Sequence, residues 1–187
     1  MKPYAIIDLP VITVATIASE ISKYVLYDTS ILNKSALGWQ FLDTVMLLSK
    51  CPTLAKFFQG QKLLVRDSAI TVSVDSTQLP IHIDEAPVVA KINFPVAYTH
   101  GWVNRWYYIP DDELNACPRI RNQFDKEIID LSAIKNPKII AELADMDKPI
   151  VFNSSIPHSV DKIVDEIVGQ RIVASFTFHN EPIGYLK

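Results

Sequence analysis

The sequence predicts a single α+β domain that is mostly β, with helices first and then strands that close into a barrel or a two-sheet jelly roll. Its 187 residues suit one domain. Residues 1–60 carry apolar side chains at helical spacing, whereas the chain beyond residue 63 breaks into about eight short runs rich in β-branched and aromatic residues. Many short strands need closure to protect their edges, so a barrel or a two-sheet jelly roll is expected over residues 63–180.

The helical part contains three predicted helices. In the first, the residues that recur at helical spacing are Ile17, Ile21, Tyr24 and Val25. A second helix is expected over residues 39–50, because Pro52 follows it, and a short third one over residues 53–59. The apolar run 9–18 has some features of a signal peptide, but Asp8 and Pro10 interrupt it, so we expect no export.

The β part is predicted from short apolar runs separated by turn residues. One helical segment is expected within it, over residues 137–144 with Asn136 as its cap. The acidic residues 111–113 are expected to form a solvated turn. The predicted strands are 69–74, 81–83, 88–96, 102–109, 127–131, 149–152, 157–160 and 171–178.

Composition and charge exclude several classes of protein. The net charge is -3 and the sequence pI is about 5.8, so no basic excess favours a nucleic-acid partner. No apolar run reaches the roughly 18 residues that a membrane span needs. Cys51 and Cys117 form no CxxC and no disulfide framework, so a cytoplasmic location is expected.

The chemistry is indicated first by the tetrapeptide Ile81-His82-Ile83-Asp84. Alternate side chains of a strand face the same way, so His82 and Asp84 share one face. An imidazole and a carboxylate on one face are two thirds of a two-histidine, one-carboxylate iron site, which leaves open coordination positions. A bare HxD is more typical of a surface histidine beside a solvated aspartate, so the prediction depends on a third ligand from another strand.

The third ligand is predicted to be His158, in Pro157-His158-Ser159-Val160, directly after a predicted strand and turn. Arg171 follows thirteen residues later at the start of the last strand, and Ser175 lies on the same face of that strand. The rigid guanidinium fork binds carboxylates bidentately. A dicarboxylate cosubstrate would use both features, one end at the metal and the other at the arginine.

This order of motifs resembles the Fe(II)/2-oxoglutarate-dependent dioxygenases, in particular small, phage-like and prolyl- or aspartyl-hydroxylase-like members. Three further segments share the resemblance, namely residues 93–96 (NFPV), 152–154 (FNS) and 175–178 (SFTF). It implies a double-stranded β-helix, the cupin-like form of the jelly roll. It also implies an oxygenase that uses O2 to hydroxylate a peptide side chain, amino acid or small metabolite, with release of succinate and CO2.

The resemblance also implies roles for particular residues. His82, Asp84 and His158 would bind Fe(II), and Arg171 would anchor the distal carboxylate of 2-oxoglutarate. Many members have serine two positions after this arginine, where the present chain has Val173. The further cosubstrate contacts are therefore expected at Ser175 and Asn93, with Thr71 and Ser73 behind Asn93. Halogenating members lack the carboxylate ligand, so Asp84 favours hydroxylation.

Alternatives remain open at this point. The chain could be a cupin-like metal enzyme without 2-oxoglutarate, which would not need Arg171, or a metal-free jelly-roll binding module. His179 competes with His158 as distal ligand, but no arginine follows it. The substrate pocket is expected to include Trp102, Arg105, Trp106 and His100. The competing interpretations are strand packing for the aromatic residues, a solvated arginine and a loop histidine.

Overall fold

The computed structural model of the protein describes residues 1–27, 39–73, 79–84, 88–121, 127–135, 137–164 and 169–187. Two antiparallel sheets face each other, and helices cover the outer face of the larger sheet. The predicted fold class, a mostly β jelly roll with packing helices, is confirmed.

In chain order the strands are β1 (Tyr4–Ile6), β2 (Trp39–Leu42), β3 (Val65–Ser73), β4 (Leu79–His82), β5 (Ala90–Ala97), β6 (Trp102–Tyr108), β7 (Arg119–Arg121), β8 (Glu127–Ile129), β9 (Lys138–Ala144), β10 (Ile150–Asn153), β11 (His158–Lys162) and β12 (Arg171–Phe178). The α-helices are α1 (Val11–Tyr27), α2 (Thr44–Lys50), α3 (Pro52–Gly60) and α4 (Asp111–Ala116). Two 3₁₀ turns cover Leu131–Ala133 and Ile183–Leu186.

The strand order is that of a double-stranded β-helix. The larger sheet runs β1-β10-β5-β12-β3-β2 and the smaller one β4-β11-β6-β9, with β7 and β8 forming a separate hairpin. From β3 to β6, and again from β9 to β12, successive core strands lie in opposite sheets. Inward-facing side chains from the two sheets therefore meet between them.

The outer face of the larger sheet packs on the helices. Ile17 and Ile21 of α1 and Phe58 of α3 are buried against Phe94 and Phe176, on the central strands β5 and β12. The ring of Phe58 meets that of Phe176 edge-on at a centroid distance of 5.0 Å. This apolar layer is the main core of the domain.

A second, smaller core lies between the sheets. Its buried members are Trp106, Met146, Ile150, Phe152 and Val173. Because residues of both sheets take part, this cluster holds the sheets together.

The prediction of one helix over residues 39–50 is wrong in its first part. Residues 39–42 form β2, which pairs antiparallel with β3 in a register that sets Leu42 opposite Ser68. The helix begins only at Thr44, because Asp43 caps it by accepting a hydrogen bond from the backbone N–H of Met46 at 3.0 Å. Pairing with a neighbouring strand outweighs the local helical pattern here.

The prediction of a helix over residues 137–144 is also wrong. Residues 138–144 form β9, the edge strand of the smaller sheet, which pairs with β6 from Val103 opposite Ala144 to Tyr108 opposite Lys138. The run Ile139-Ile140-Ala141 is compatible with either a helix or a strand. Its backbone forms a strand because it pairs with β6. The predicted cap, Asn136, lies outside the described residues.

The acidic residues 111–113 form the first turn of α4 rather than a simple turn. Carboxylates are favourable there because they face the positive end of the helix dipole. Residues 9–18, considered above as a possible signal sequence, lie mostly in α1. None of the helices that the structure describes is both long and apolar enough to cross a membrane.

Candidate metal centre and cosubstrate site

The three predicted ligand residues come together at one end of the space between the sheets. One ligand atom from each of His82, Asp84 and His158 lies within 4.8 Å of the others. His82 and His158 are directly opposite each other on the paired strands β4 and β11. Two imidazoles and one carboxylate in this arrangement are the donor set of a non-heme iron site with open positions.

Both imidazoles are oriented by the backbone. The Nδ1 atoms of His82 and His158 lie 2.8 Å from the carbonyl oxygens of Pro80 and Ile156, each two residues earlier in the chain. A carbonyl can only accept, so each Nδ1 carries the proton and each Nε2 offers a lone pair. Metal-binding histidines are characteristically oriented by such a hydrogen bond.

Local sequence explains both turns. β4 is an edge strand, so Pro80, which lacks an N–H, removes no ladder hydrogen bond that the sheet requires. Before β11, the side-chain oxygen of Asn153 accepts hydrogen bonds from the backbone N–H and the hydroxyl of Ser155, at 3.1 and 2.6 Å. This is the turn predicted before His158, and His158 begins the strand that follows it.

Asp84 is held in its charged form. Burial raises the pKa of its carboxyl, but the charges of Lys91, His158 and His82 outweigh burial, and the pKa lies below its usual value. The Nζ of Lys91 is 2.8 Å from Oδ2 of Asp84, and both side chains are largely buried. The backbone N–H of Asp84 donates to the carbonyl of Ser154 at 3.1 Å.

His158 is held neutral. Burial, followed by the proximity of His82, lowers the pKa of its imidazole to about 4, although Asp84 acts in the opposite direction. The ring packs edge-on against Phe152 and is 7% exposed. A neutral imidazole is the form that binds a metal ion, so His158 is ready for ligation at neutral pH.

Arg171 lies on the facing side of the same space, at the start of β12. It is 3% exposed, its Nε has no hydrogen-bond partner among the described residues, and its Nη2 donates only a long hydrogen bond of 3.4 Å to Asn104. Burial lowers its pKa to about 10, so it remains a cation at neutral pH. Among the described residues it has no acidic partner, which fits a site that receives an anion.

Arg171 and His158 meet the same strand, β6, at positions two residues apart. Asn104, which Arg171 contacts, is two residues from Trp106, and Trp106 pairs with His158. At about 3.4 Å per residue, the two levels are about 7 Å apart. An extended five-carbon chain spans about 5 Å between its terminal carbons, at about 1.5 Å per bond and with the bond angles of carbon.

Asn93 and Ser175 form a polar pair on the inner face of the larger sheet. They lie opposite each other on β5 and β12, and the hydroxyl of Ser175 donates to Oδ1 of Asn93 at 2.7 Å. On β12, Ser175 is four residues from Arg171, with Val173 between them. Thr71 and Ser73 also belong to this inner face, because they pair with Val173 and Arg171.

Two of the four predicted pocket residues share this interior. Trp106 lies on the same face as His158, but it is only 1% exposed and stacks on Tyr4 at 4.7 Å, within the second core. The guanidinium carbon of Arg171 is 6.0 Å from the ring centroid of Trp102, which is also 1% exposed. Both tryptophans therefore border the site as packing residues.

The structure does not bring Arg105 to the site. Arg105 pairs with Ser159, the neighbour of His158, and alternation places it on the opposite face of the sheet. There it binds Glu142 and Asp161 at 2.6 and 2.9 Å.

The structure likewise leaves His100 away from the metal ligands. Its side chain is 87% exposed and pairs with Asp145 in a loop. His179 is absent from the metal-binding cluster of the described residues, which contains His158 instead.

Sequence reasoning missed Lys91. The sequence nevertheless contained a signal, because the polar residues Lys91 and Asn93 alternate with the apolar residues of β5, namely Ala90, Ile92 and Phe94. Polar side chains along one face of a central strand indicate that this face lines a site.

No sequence profile of a known family and no curated protein sequence matches the chain. Solved structures do match in fold. AviO1 from Streptomyces viridochromogenes Tue57 is 11% identical, with a TM-score of 0.51 over 97% of this chain and 92% of AviO1. The apo form of ThoJ, a non-heme monooxygenase, is 13% identical, with a TM-score of 0.52 over 94% of this chain and 73% of ThoJ.

HygX from Streptomyces hygroscopicus, whose structure holds nickel and 2-oxoglutarate, is 9% identical, with a TM-score of 0.53 over 94% of this chain and 81% of HygX. At such identities the likeness concerns the fold. The chain shares the double-stranded β-helix fold of these three proteins. The resemblance predicted from the order of HxD, histidine and arginine is confirmed at that level.

Proposed function

We propose that the protein is an Fe(II)- and 2-oxoglutarate-dependent oxygenase that hydroxylates a peptide side chain, an amino acid or a small metabolite. Two observations carry the proposal. His82, Asp84 and His158 form one cluster of possible metal ligands, and the buried cation of Arg171 faces the same interior without an acidic partner among the described residues.

The chain's own groups have distinct tasks in this proposal. His82, Asp84 and His158 would hold Fe(II) through two neutral imidazoles and one carboxylate. Arg171 would bind the distal carboxylate of 2-oxoglutarate, and the pair of Asn93 and Ser175 would contact the cosubstrate between its ends. Fe(II) with 2-oxoglutarate and O2 would supply the oxidising power, with release of succinate and CO2.

The surroundings suit this chemistry because they keep water away from one side of the site. Phe152 packs on His158, and Val173 separates Arg171 from Ser175 along β12. In a dry site the attraction between Arg171 and a carboxylate is stronger than in water. The partly accessible side chains of Lys91, Asn93 and Ser175 leave the remaining side open to ligands.

Hydroxylation is the favoured outcome because Asp84 is available as a ligand. A carboxylate at this position occupies the coordination site that a halide would need. The protein then contributes orientation of the substrate C–H bond and exclusion of water, while the metal and its cosubstrate provide the reactivity.

The test is an anaerobic titration of the metal-free protein with Fe(II) and then with 2-oxoglutarate, followed by visible absorption. A chelated 2-oxo acid is expected to give a weak metal-to-ligand charge-transfer band. His158→Ala should abolish the band. Arg171→Ala should keep it but require much more 2-oxoglutarate.

Three results would contradict the proposal. Binding of Fe(II) without a band at any 2-oxoglutarate concentration would favour a cupin-like metal enzyme. Failure to bind Fe(II) would favour a metal-free binding module. A band of unchanged cosubstrate dependence in Arg171→Ala would remove Arg171 from the site.

A further inference from the structure

Lys91 is a charged residue on the inner face of the larger sheet, and it contacts the proposed metal ligand Asp84. The proposed function does not yet assign its ammonium a role. Its strand β5 lies in the middle of the larger sheet, between β10 and β12. It pairs with Phe152, so the aliphatic part of its side chain runs along the apolar wall of the site. Only 13% of the side chain is exposed.

The carboxylate of Asp84 is oriented by a side chain, whereas the two imidazoles are oriented by backbone carbonyls. Asp84 lies two residues beyond the end of β4, outside the strand ladder, and its backbone N–H is held by Ser154 alone among the described residues. Each imidazole is oriented by a carbonyl. The carboxylate of Asp84 is instead oriented by the ammonium of Lys91, 2.8 Å from Oδ2.

The ion pair is compatible with metal ligation. A carboxylate has two oxygens with about four lone-pair directions, so it can accept from an ammonium and bind a metal at once. Oδ2 of Asp84 is 3.8 Å from Nε2 of His158. Only a small adjustment would bring a carboxylate oxygen and this nitrogen to one metal ion, since ligand bonds measure about 2.0–2.2 Å.

We infer that Lys91 is a positioning residue that holds the carboxylate of Asp84 in its metal-binding orientation before and after the metal arrives. The inference rests on the proposed metal site. Groups that hydrogen-bond to a ligand typically change metal affinity by about 10–100-fold when they are removed. Electrostatic repulsion between Lys91 and a metal cation would instead weaken metal binding. Removal of the ammonium therefore lowers the Fe(II) affinity if positioning dominates and raises it if repulsion dominates.

The experiment measures the anaerobic Fe(II) affinity of the full chain by competition with a chromophoric chelator. Lys91→Met keeps the length and apolar stem of the side chain but removes the ammonium. We expect it to weaken Fe(II) binding by about 10–100-fold. Lys91→Arg, which restores a charged donor, should recover most of the affinity.

Two controls separate positioning from a general structural role. Lys148→Met breaks an exposed ion pair with Asp8 and should leave Fe(II) affinity unchanged. At saturating Fe(II), the 2-oxoglutarate affinity of Lys91→Met should stay within about threefold of wild type, because Arg171 is intact. A merely structural role would weaken the binding of both Fe(II) and 2-oxoglutarate.

The inference is overturned if Lys91→Met binds Fe(II) as well as or better than wild type, or if Lys91→Arg restores nothing. If Lys91→Met does not fold, Lys91→Arg decides by itself, since a loss above about tenfold contradicts positioning by a charged donor. Absence of Fe(II) binding in wild type would instead refute the proposed function, so the two failures are distinguishable.

Discussion

The two faces of the larger sheet carry different kinds of side chain. Along β12, Phe176 and Phe178 point to the helices and are buried among aromatic rings, whereas Arg171 and Ser175 point between the sheets. The same alternation in β5 separates Phe94 from Asn93. One set of strands thus supplies stability on one face and chemistry on the other, because successive side chains of a strand project oppositely.

The comparison predicts that the helix-facing side dominates stability. Phe176→Ala removes a ring that contacts Phe58 and Phe94, and it should lower the free energy of unfolding by about 3–5 kcal/mol. Ser175→Ala, the adjacent position on the other face, is the matched variant and should cost less than about 1 kcal/mol. Urea denaturation measures both, and equal losses would contradict this division of roles.

A second prediction concerns acid stability. Because the pKa of His158 is about 4 in the folded protein and near 6.5 when unfolded, the unfolded state takes up the proton first as the pH falls. The stability that neutral His158 contributes is present above pH 6.5 and should be lost towards pH 4, by about 3 kcal/mol.

Denaturation of the metal-free protein at pH 7, 5.5 and 4.5 tests this. His158→Gln should lose less stability than wild type over that range, while His100→Gln, which changes an exposed histidine, should behave as wild type. Equal acid sensitivity in all three proteins would show that His158 is not the cause.

A third prediction concerns the charge on the inner face. Arg171→Met should raise the Kd of the iron-loaded protein for 2-oxoglutarate by about 100-fold, since a bidentate, charge-assisted contact is lost. The cosubstrate-free protein should not be destabilised, because the buried cation that is removed has no acidic partner among the described residues. Arg171→Lys should be intermediate. A large loss of stability with unchanged cosubstrate affinity would assign Arg171 to packing.

The smallest expected effect belongs to the polar pair. Ser175→Ala removes the hydroxyl that donates to Asn93 and should weaken 2-oxoglutarate binding by less than about tenfold, which corresponds to about 1.4 kcal/mol. Fe(II) affinity should not change, since Ser175 contacts none of the three ligands. An effect as large as that of Arg171→Met would move the main cosubstrate contact to this pair.

Much of the candidate site was predictable from the sequence, because all of its predicted metal and cosubstrate residues except Asp84 lie on regular strands. His82 and Asp84 are two positions apart, and Arg171 begins a long β-branched run that the structure reproduces as β12. Lys91 was not predicted, because its contact with Asp84 depends on how the two sheets face each other, and spacing along the chain does not define that. Arg105 was placed wrongly, because the face that each residue of β6 presents depends on its register with β11.

The sequence by itself determined which side chains share a strand face, since alternation is a local property of extended backbone. It thereby determined the donor types and the mostly β class. Tertiary structure decided whether ambiguous segments became strands, as for β2 and β9, because hydrogen bonds to a neighbouring strand outweigh small differences in propensity. Tertiary structure also decided which sheet faces pack against each other, and it thereby placed Arg171 across from the histidines. Spacing along the chain does not define this, because sheet register is set by contacts between residues far apart in the chain.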